Sequence, residues 1–148
     1  MTVSFSLDGQ PTPKQCYVGS FKNEAKPSYE GAKIKGNRIS AQTRSFGKYG
    51  VFVDSMPPTI KPVNFSDNKW VSNNKTLQVF VKDKETGVKK YKATINGKFA
   101  LMEYEYKKNT LTYNFDDEIS VSGENKLKVY VEDNVGNTSI YTATFFRK

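Results

Sequence analysis

An all-β chain is what this sequence predicts: apolar residues recur at every second position, helical periodicity is scarce, and Gly, Asn, Asp and Pro gather between the alternating runs. The clearest run is LQVFV, where Leu77, Val79 and Val81 share one face and Gln78 and Phe80 the other. In KKYKATINGK, Tyr91, Ala93 and Ile95 alternate with Lys90, Lys92 and Thr94. Asn96-Gly97 then supplies two residues that accept positive φ, as a tight hairpin turn demands. The next strand, KFALMEYEY, returns from that turn and ends at Lys107-Lys108-Asn109. Leu111, Tyr113 and Phe115 alternate in TLTYNF, Leu127, Val129 and Val131 in KLKVYVED, and Tyr141, Ala143 and Phe145 in SIYTATFFRK. With a first strand around Ile60–Phe65, residues 56–148 hold about seven antiparallel strands, the pattern of an immunoglobulin-like (fibronectin III-like) β-sandwich. The disulfide and strand-C tryptophan of antibody domains are missing. Trp70, in the segment before LQVFV, is expected to plug the end of the sandwich, with a carbohydrate-stacking contact as the functional alternative.

Residues 1–55 are β-rich with a different texture. VSFSL, QCYVGSF, GAKIK, RISAQT and KYGVFVD read as short strands separated by GQPTPK, KNEAKPSYE, GN and RSFG. So few residues make only a marginal core. They either pack on the following sandwich or form the end of an upstream β-domain, and the second reading is preferred, with contact to the sandwich. TVSFSLD directly after Met1 reads as a strand already under way, so the chain is expected to begin inside a larger protein. The fold class is thus all-β, a C-terminal sandwich preceded by a small or partial β-domain. The seam is DSMPPTIKP: Pro57 and Pro58 fix φ and remove two amide donors, which suits a stiff connector better than a central strand.

Composition narrows the chemistry. The 148 residues include no histidine, so imidazole-ligated zinc, Ser-His triads and His acid–base catalysis have no residues here. One cysteine, Cys16, excludes an intrachain disulfide and reads as a small buried hydrophobe. The net charge of +8 divides evenly, eight basic against four acidic side chains up to residue 55 and fifteen against eleven beyond it. Lysines are interspersed with acids and far outnumber arginines, which describes a solvated surface rather than a specific nucleic-acid reader. No apolar run reaches the ~20 residues of a membrane-spanning helix. Residues 1–20 lack a signal-peptide pattern, so an export signal would lie outside this chain.

Three stretches carry a family resemblance. RISAQTRSFGKYGVFVDSMPPTIKP resembles the joint before the last domain of bacterial envelope peptidases of the lysostaphin type, zinc endopeptidases that cleave peptidoglycan cross-links. VKDKETGVKKYKATINGKFALMEYEYKKNTLTYNF resembles the middle of their terminal immunoglobulin-like domain, and NKLKVYVEDNVGNTSIYTATFFRK its end. The resemblance spans most of residues 38–148. It implies a non-catalytic C-terminal region, since the H-x(3)-D and H-x-H zinc motifs of that family have no counterpart here. It further implies a periplasmic, envelope-bound or secreted location, contacts with upstream domains of the parent chain, and a wall-polymer, surface or protein partner. The alternative is a stand-alone adhesion module with no linked enzyme.

In an immunoglobulin-like topology the B–C and F–G loops meet at one end. These loops are DKETG and DNVGN, which brings Asp83, Glu85, Asp133, Asn134 and Asn137 together. All five carry oxygen, so a calcium ion is one reading; the other is that they cap their own turns, with Gly87 and Gly136 at positive φ. No cofactor or catalytic residue is assigned. Glu103/Glu105 and the DDE run at 116–118 offer paired carboxylates, as a glycosidase needs, but Glu103 and Glu105 read more simply as a solvent face opposite Met102, Tyr104 and Tyr106. The tyrosines of 104–113, with Lys107 and Lys108, read as cross-strand packing ahead of a binding face.

Overall fold

A computed structural model describes residues 1–23, 26–116 and 118–148. Its strands are β1 (Thr2–Ser6), β2 (Cys16–Asn23), β3 (Lys26–Gly31), β4 (Lys33–Lys35), β5 (Arg38–Gln42), β6 (Tyr49–Val53), β7 (Thr59–Pro62), β8 (Lys69–Trp70), β9 (Thr76–Lys82), β10 (Val88–Ile95), β11 (Lys98–Ala100), β12 (Glu103–Glu105), β13 (Thr110–Asn114), β14 (Gly123–Asp133) and β15 (Thr138–Arg147). Two single-turn 3-10 segments, Pro13–Gln15 and Tyr106–Lys108, are the only helical pieces among the described residues.

The chain is all-β. Its C-terminal part is an immunoglobulin-like sandwich of two sheets, ordered β12-β13-β9-β7 and β11-β10-β14-β15-β8. The alternating faces read from sequence form its core. Leu77, Val79 and Val81 meet Ala93, Ile95, Leu111, Tyr113, Leu127, Val129, Val131 and Phe145 in one apolar cluster. Asn96 and Gly97, at φ 55° and 77°, make the β10–β11 turn, and a Cβ on Gly97 would meet open space, so backbone conformation alone selects glycine there. Asn125, fully buried, spends its amide on Val121 N and O, Gly123 O and Asn96 Nδ2 at 2.7–3.1 Å, and so ties that hairpin to the entry of β14.

Residues 1–53 fold as two three-stranded antiparallel sheets, β1-β5-β4 and β3-β2-β6, around a small cluster of Leu7, Cys16, Val18, Ile39 and Ala41. Cys16 is fully buried, and burial pushes its thiol pKa up, in keeping with a packing role. The two cores are separate clusters, joined by residues 54–58, which belong to no strand. The solvent-accessible surface of 9341 Å² exceeds the ~7,600 Å² expected of one globule of this mass, as two small cores in series require.

Four expectations from the sequence need correction. KFALMEYEY is two strands, not one: β11 pairs with β10, then the chain crosses at Leu101–Met102 and β12 joins β13 in the other sheet. Tyr106 leaves the strand for a 3-10 turn and is 72% exposed, so it does not share the packed side with Met102. The segment KPSYEG, read as a separator, forms β3, and residues 24 and 25 of the same stretch lie outside the described residues. Trp70 does not plug the sandwich: it sits in the edge strand β8 with 59% of its surface exposed.

Because Leu127 is almost fully buried between the sheets, Leu127→Ala should lower unfolding stability by ~2–5 kcal/mol. Urea titration followed by far-ultraviolet circular dichroism measures it. A loss under 1 kcal/mol would mean the two sheets do not close on this residue.

Candidate functional site

The loop end of the sandwich is where the two parts of the chain meet. Asp83 ends β9 and turns the chain back by accepting backbone N–H bonds at one oxygen, Oδ2, from Glu85, Thr86 and Gly87 at 2.9–3.3 Å. Gly87, at φ 85°, lets its N–H point into that carboxylate. Asp133 does the same for the β14–β15 loop, its Oδ1 accepting from Val135 N and Asn137 N at 2.9 Å each. Asn134 then stitches the loops together, its Nδ2 donating to Thr86 O at 2.7 Å and Gly87 O at 3.2 Å. All five residues expected at this end, Asp83, Glu85, Asp133, Asn134 and Asn137, are there, and the turn-capping account describes their hydrogen bonds.

Asp54 also stands in this cluster, a position that sequence reasoning assigned only to the connector. It is fully buried; its Oδ2 accepts the Thr86 hydroxyl at 2.7 Å and its Oδ1 accepts Met56 N at 3.1 Å. Asn137 Nδ2 donates to Asp54 O and to Asp133 Oδ2, both at 2.8 Å, while its Oδ1 accepts from Gln15 Nε2 at 2.8 Å. Asp54 N in turn donates to Gln15 O at 2.9 Å. Lys26 Nζ donates to Lys84 O. Four of these bonds, Gln15 to Asn137, Lys26 to Lys84, Thr86 to Asp54 and Asn137 to Asp54, join the first part of the chain or the connector to the sandwich.

Three acids, Asp54, Asp83 and Asp133, bring one carboxylate oxygen each to within 4.8 Å of the others, and they are the set of described residues placed to share a cation. Burial holds Asp83 above the usual carboxylate range; the Thr86 and Gly87 N–H groups pull it down, and the charges of Asp54 and Asp133 push it up again. Glu85 is raised too, by burial and then by Asp54 and Asp83, with Lys26 opposing. Tyr17, packed beneath, is pushed up to about 12 by burial and by Glu85, Asp54 and Asp83. Tyr29 is raised by burial and by Asp133. The arrangement concentrates negative charge at a seam and answers it with amide and hydroxyl donors.

The other carboxylates sit elsewhere. Glu103 and Glu105 are exposed on the edge strand β12, and Glu105 pairs with Lys108 at 3.7 Å, so no cleft separates an acid from a base. In the DDE run, Asp117 lies outside the described residues and Asp116 is exposed. Tyr104 packs on Tyr91 of the facing sheet with ring centroids 5.6 Å apart, and Tyr113 on Phe115 two residues along the chain at 5.2 Å, so these ring contacts run between sheets and along the chain where cross-strand packing was expected. No helix among the described residues is long and apolar enough to cross a membrane.

No family model matches the chain, and no curated protein does. Among solved structures, one of the fibronectin(III)-like modules of Clostridium thermocellum CbhA is similar, with a TM-score of 0.46 and 9% identity, covering 99% of this chain and 85% of that one.

The raised Asp83 gives a pH signature. A carboxyl whose folded pKa lies above its unfolded value costs stability while it is charged, and that cost disappears as pH falls through the folded pKa toward ~3.9. Asp83→Asn keeps an acceptor for the loop amides and removes the charge. The stability of Asp83→Asn relative to wild type should therefore improve as pH rises from ~4 through the folded pKa of Asp83 and level off above it. Chemical denaturation across that range measures the difference, and a flat or falling profile would show that Asp83 carries no excess charge cost.

Proposed function

We propose that this chain is a non-catalytic accessory region of a bacterial cell-envelope peptidase-family protein. It acts as a stiff two-part strut that positions an upstream enzyme and presents its sandwich to a wall, surface or protein partner. The observation that carries this reading is the seam at Asp54. A flexible tether between two β-modules would expose its backbone to water, whereas here the connector's one acid is buried and bonded to the sandwich through Thr86 and Asn137. Ser139 Oγ adds a bond to Pro58 O at 2.5 Å, and Pro58 is itself buried, so both ends of the proline pair are fixed. Stiffness of this kind serves placement. It fixes the direction in which the sandwich leaves the preceding module.

The link to an envelope peptidase is supported by the three matching stretches, and the division of labour by the missing histidines, which leave zinc hydrolysis to another part of such a protein. A periplasmic, envelope or extracellular location belongs to the same reading. Seen chemically, the chain offers exposed edges and faces, with its two fully buried junction acids committed to the seam.

Nitrogen-15 relaxation on the full chain tests the strut. The amides of β2 and β6 and those of β9 and β14 should report one shared rotational correlation time. Asn137→Ala removes the side chain that bonds Asp54, Asp133 and Gln15 at once, and should let the two sets tumble separately. Two distinct correlation times already present in the wild type would refute a stiff junction. The association with an enzyme is tested by the parent gene: upstream H-x(3)-D and H-x-H motifs support it, and repeated β-modules alone would replace it with adhesion.

A further inference from the structure

β8 is two residues long and adds to the edge of β15 in parallel, with Trp70 opposite Phe146. Phe145 is fully buried, so strand alternation turns Phe146, and Trp70 beside it, to the outer face. The two ring centroids lie 5.4 Å apart with planes tilted by 36°. This backing holds the indole in place while more than half of it meets solvent. Backbone bonds fix it further. Asn68 N donates to Thr144 O at 2.7 Å, Val71 N to Phe146 O at 2.8 Å, and Thr144 N to Asp67 Oδ1 at 2.7 Å.

The turn after Trp70 is held from beneath. Arg147 Nη1 donates to Val71 O at 3.2 Å and Asn74 O at 3.1 Å, and the guanidinium carbon lies 3.8 Å from the centroid of the Phe115 ring. The Val71 and Asn74 carbonyls are thus spent inward and Asn73 faces solvent, while Ser72 Oγ accepts Lys148 N and Asn74 Nδ2 donates to Asn64 O, both at 3.0 Å. Ser72, Asn73 and Asn74, with Trp70 and Lys148, line an open depression of about 430 Å³. A second depression, of about 370 Å³, lies across the same turn and shares Ser72, Asn73 and Asn74. The indole N–H and the whole Asn73 amide have no hydrogen-bond partner among the described residues. Phe46 and Leu101, also exposed, stand on irregular segments, whereas Phe21 on β2 is exposed with the Phe52 ring 5.3 Å away but without a lining of amides and a hydroxyl among the described residues.

The chemistry of this surface selects among ligands. A pyranose ring offers a flat face of C–H groups edged by hydroxyls that both donate and accept. A fixed indole matches the first, and the indole N–H, the Asn73 amide, the Asn74 Oδ1 and the remaining hydroxyl hydrogen of Ser72 match the second. An anionic ligand would find no cluster of free cations among the described lining residues: Arg147 is committed to two carbonyls and a ring, Lys148 lines the first depression singly, and Lys75 shares the second with Asp116. An apolar peptide anchor would need an enclosed apolar wall, where this depression has amides and a hydroxyl. We propose that Trp70, with Ser72, Asn73 and Asn74, forms a saccharide subsite that stacks one neutral hexose of a glycan, with the next unit following the turn into the second depression. The inference rests on the reading of this chain as one that holds a partner rather than transforming it, and it names the chemical class of that partner.

Trp70 is the chain's single tryptophan, so its emission reports the site without interference. The full chain is titrated with β-1,4-linked tetramers of glucose and of N-acetylglucosamine, and with an inorganic polyphosphate as the anionic comparison. A saturable change in emission with at least one tetramer and none with polyphosphate is expected. Calorimetry should then show affinity reduced by about tenfold or more in Trp70→Ala, and by severalfold in Asn73→Ala, with thermal midpoints close to wild type. Trp70→Phe should keep part of the affinity. Silence toward both tetramers, undiminished binding by Trp70→Ala, or a response to polyphosphate alone would each overturn the subsite. A glycan response beside two independent correlation times would remove the strut and leave the subsite. A single correlation time without a glycan response would do the reverse.

Discussion

Asp54 follows directly on β6 and is buried where the sandwich begins, so its carboxylate has to find partners on a part of the chain that folds far away in sequence. It finds them in the Thr86 hydroxyl at 2.7 Å, and its own carbonyl takes Asn137 Nδ2 at 2.8 Å. Those two contacts need both sandwich loops in place. The loops in turn depend on Asp83 and Asp133, each of which folds its loop back onto its own carboxylate. One residue therefore ties the end of the first module to the closure of the second. Removing a partner from so buried an acid costs more than the bond itself, because the desolvated charge is left behind.

The connector works with this constraint. Pro57 and Pro58 bring no amide donors, so the segment has few backbone groups to satisfy while it passes through the seam. Met56 N is met by Asp54 Oδ1, which closes a small side-chain turn immediately before the prolines. The stretch is stiff, and it is also tethered at Asp54 and at Pro58. A proline pair alone would set only a local direction; the two tethers turn that direction into a relation between the cores.

Much of the sandwich was legible because its signal is local. Alternation in LQVFV, TLTYNF and KLKVYVED marks strands whatever their neighbours are, and Asn96-Gly97 marks a turn by backbone conformation alone. The meeting of DKETG with DNVGN followed from topology, and Asn134 bonding Thr86 O is the physical form of it. What escaped was non-local. A period of two is the same in either sheet, so nothing in KFALMEYEY announces that Leu101–Met102 crosses between them. β3 and β8 are edge strands, and with only one apolar face partner at most they lack the alternation that identifies inner strands. Asp54 was readable as a turn residue, yet its partners lie 32 and 83 positions away.

The same edge strand explains why an aromatic residue stands in solvent at the far side of the molecule. Between β7 and β9, antiparallel neighbours in one sheet, the chain makes an excursion to the other, and β8 is that excursion, laid in parallel beside β15. Asn68, at φ 59°, turns the chain into it. Strand parity then allows only one of Lys69 and Trp70 to face outward beside Phe146, and the register chooses Trp70. Packing does not require an indole there, since Val71, the next residue, supplies the buried apolar contact. A threonine would satisfy the register with less apolar surface in water. The tryptophan is therefore surplus to the fold, and the unpaired amide of Asn73 beside it is surplus too. Their conjunction on a turn braced by Arg147 is what gives this end of the sandwich a chemistry that the acidic seam does not have.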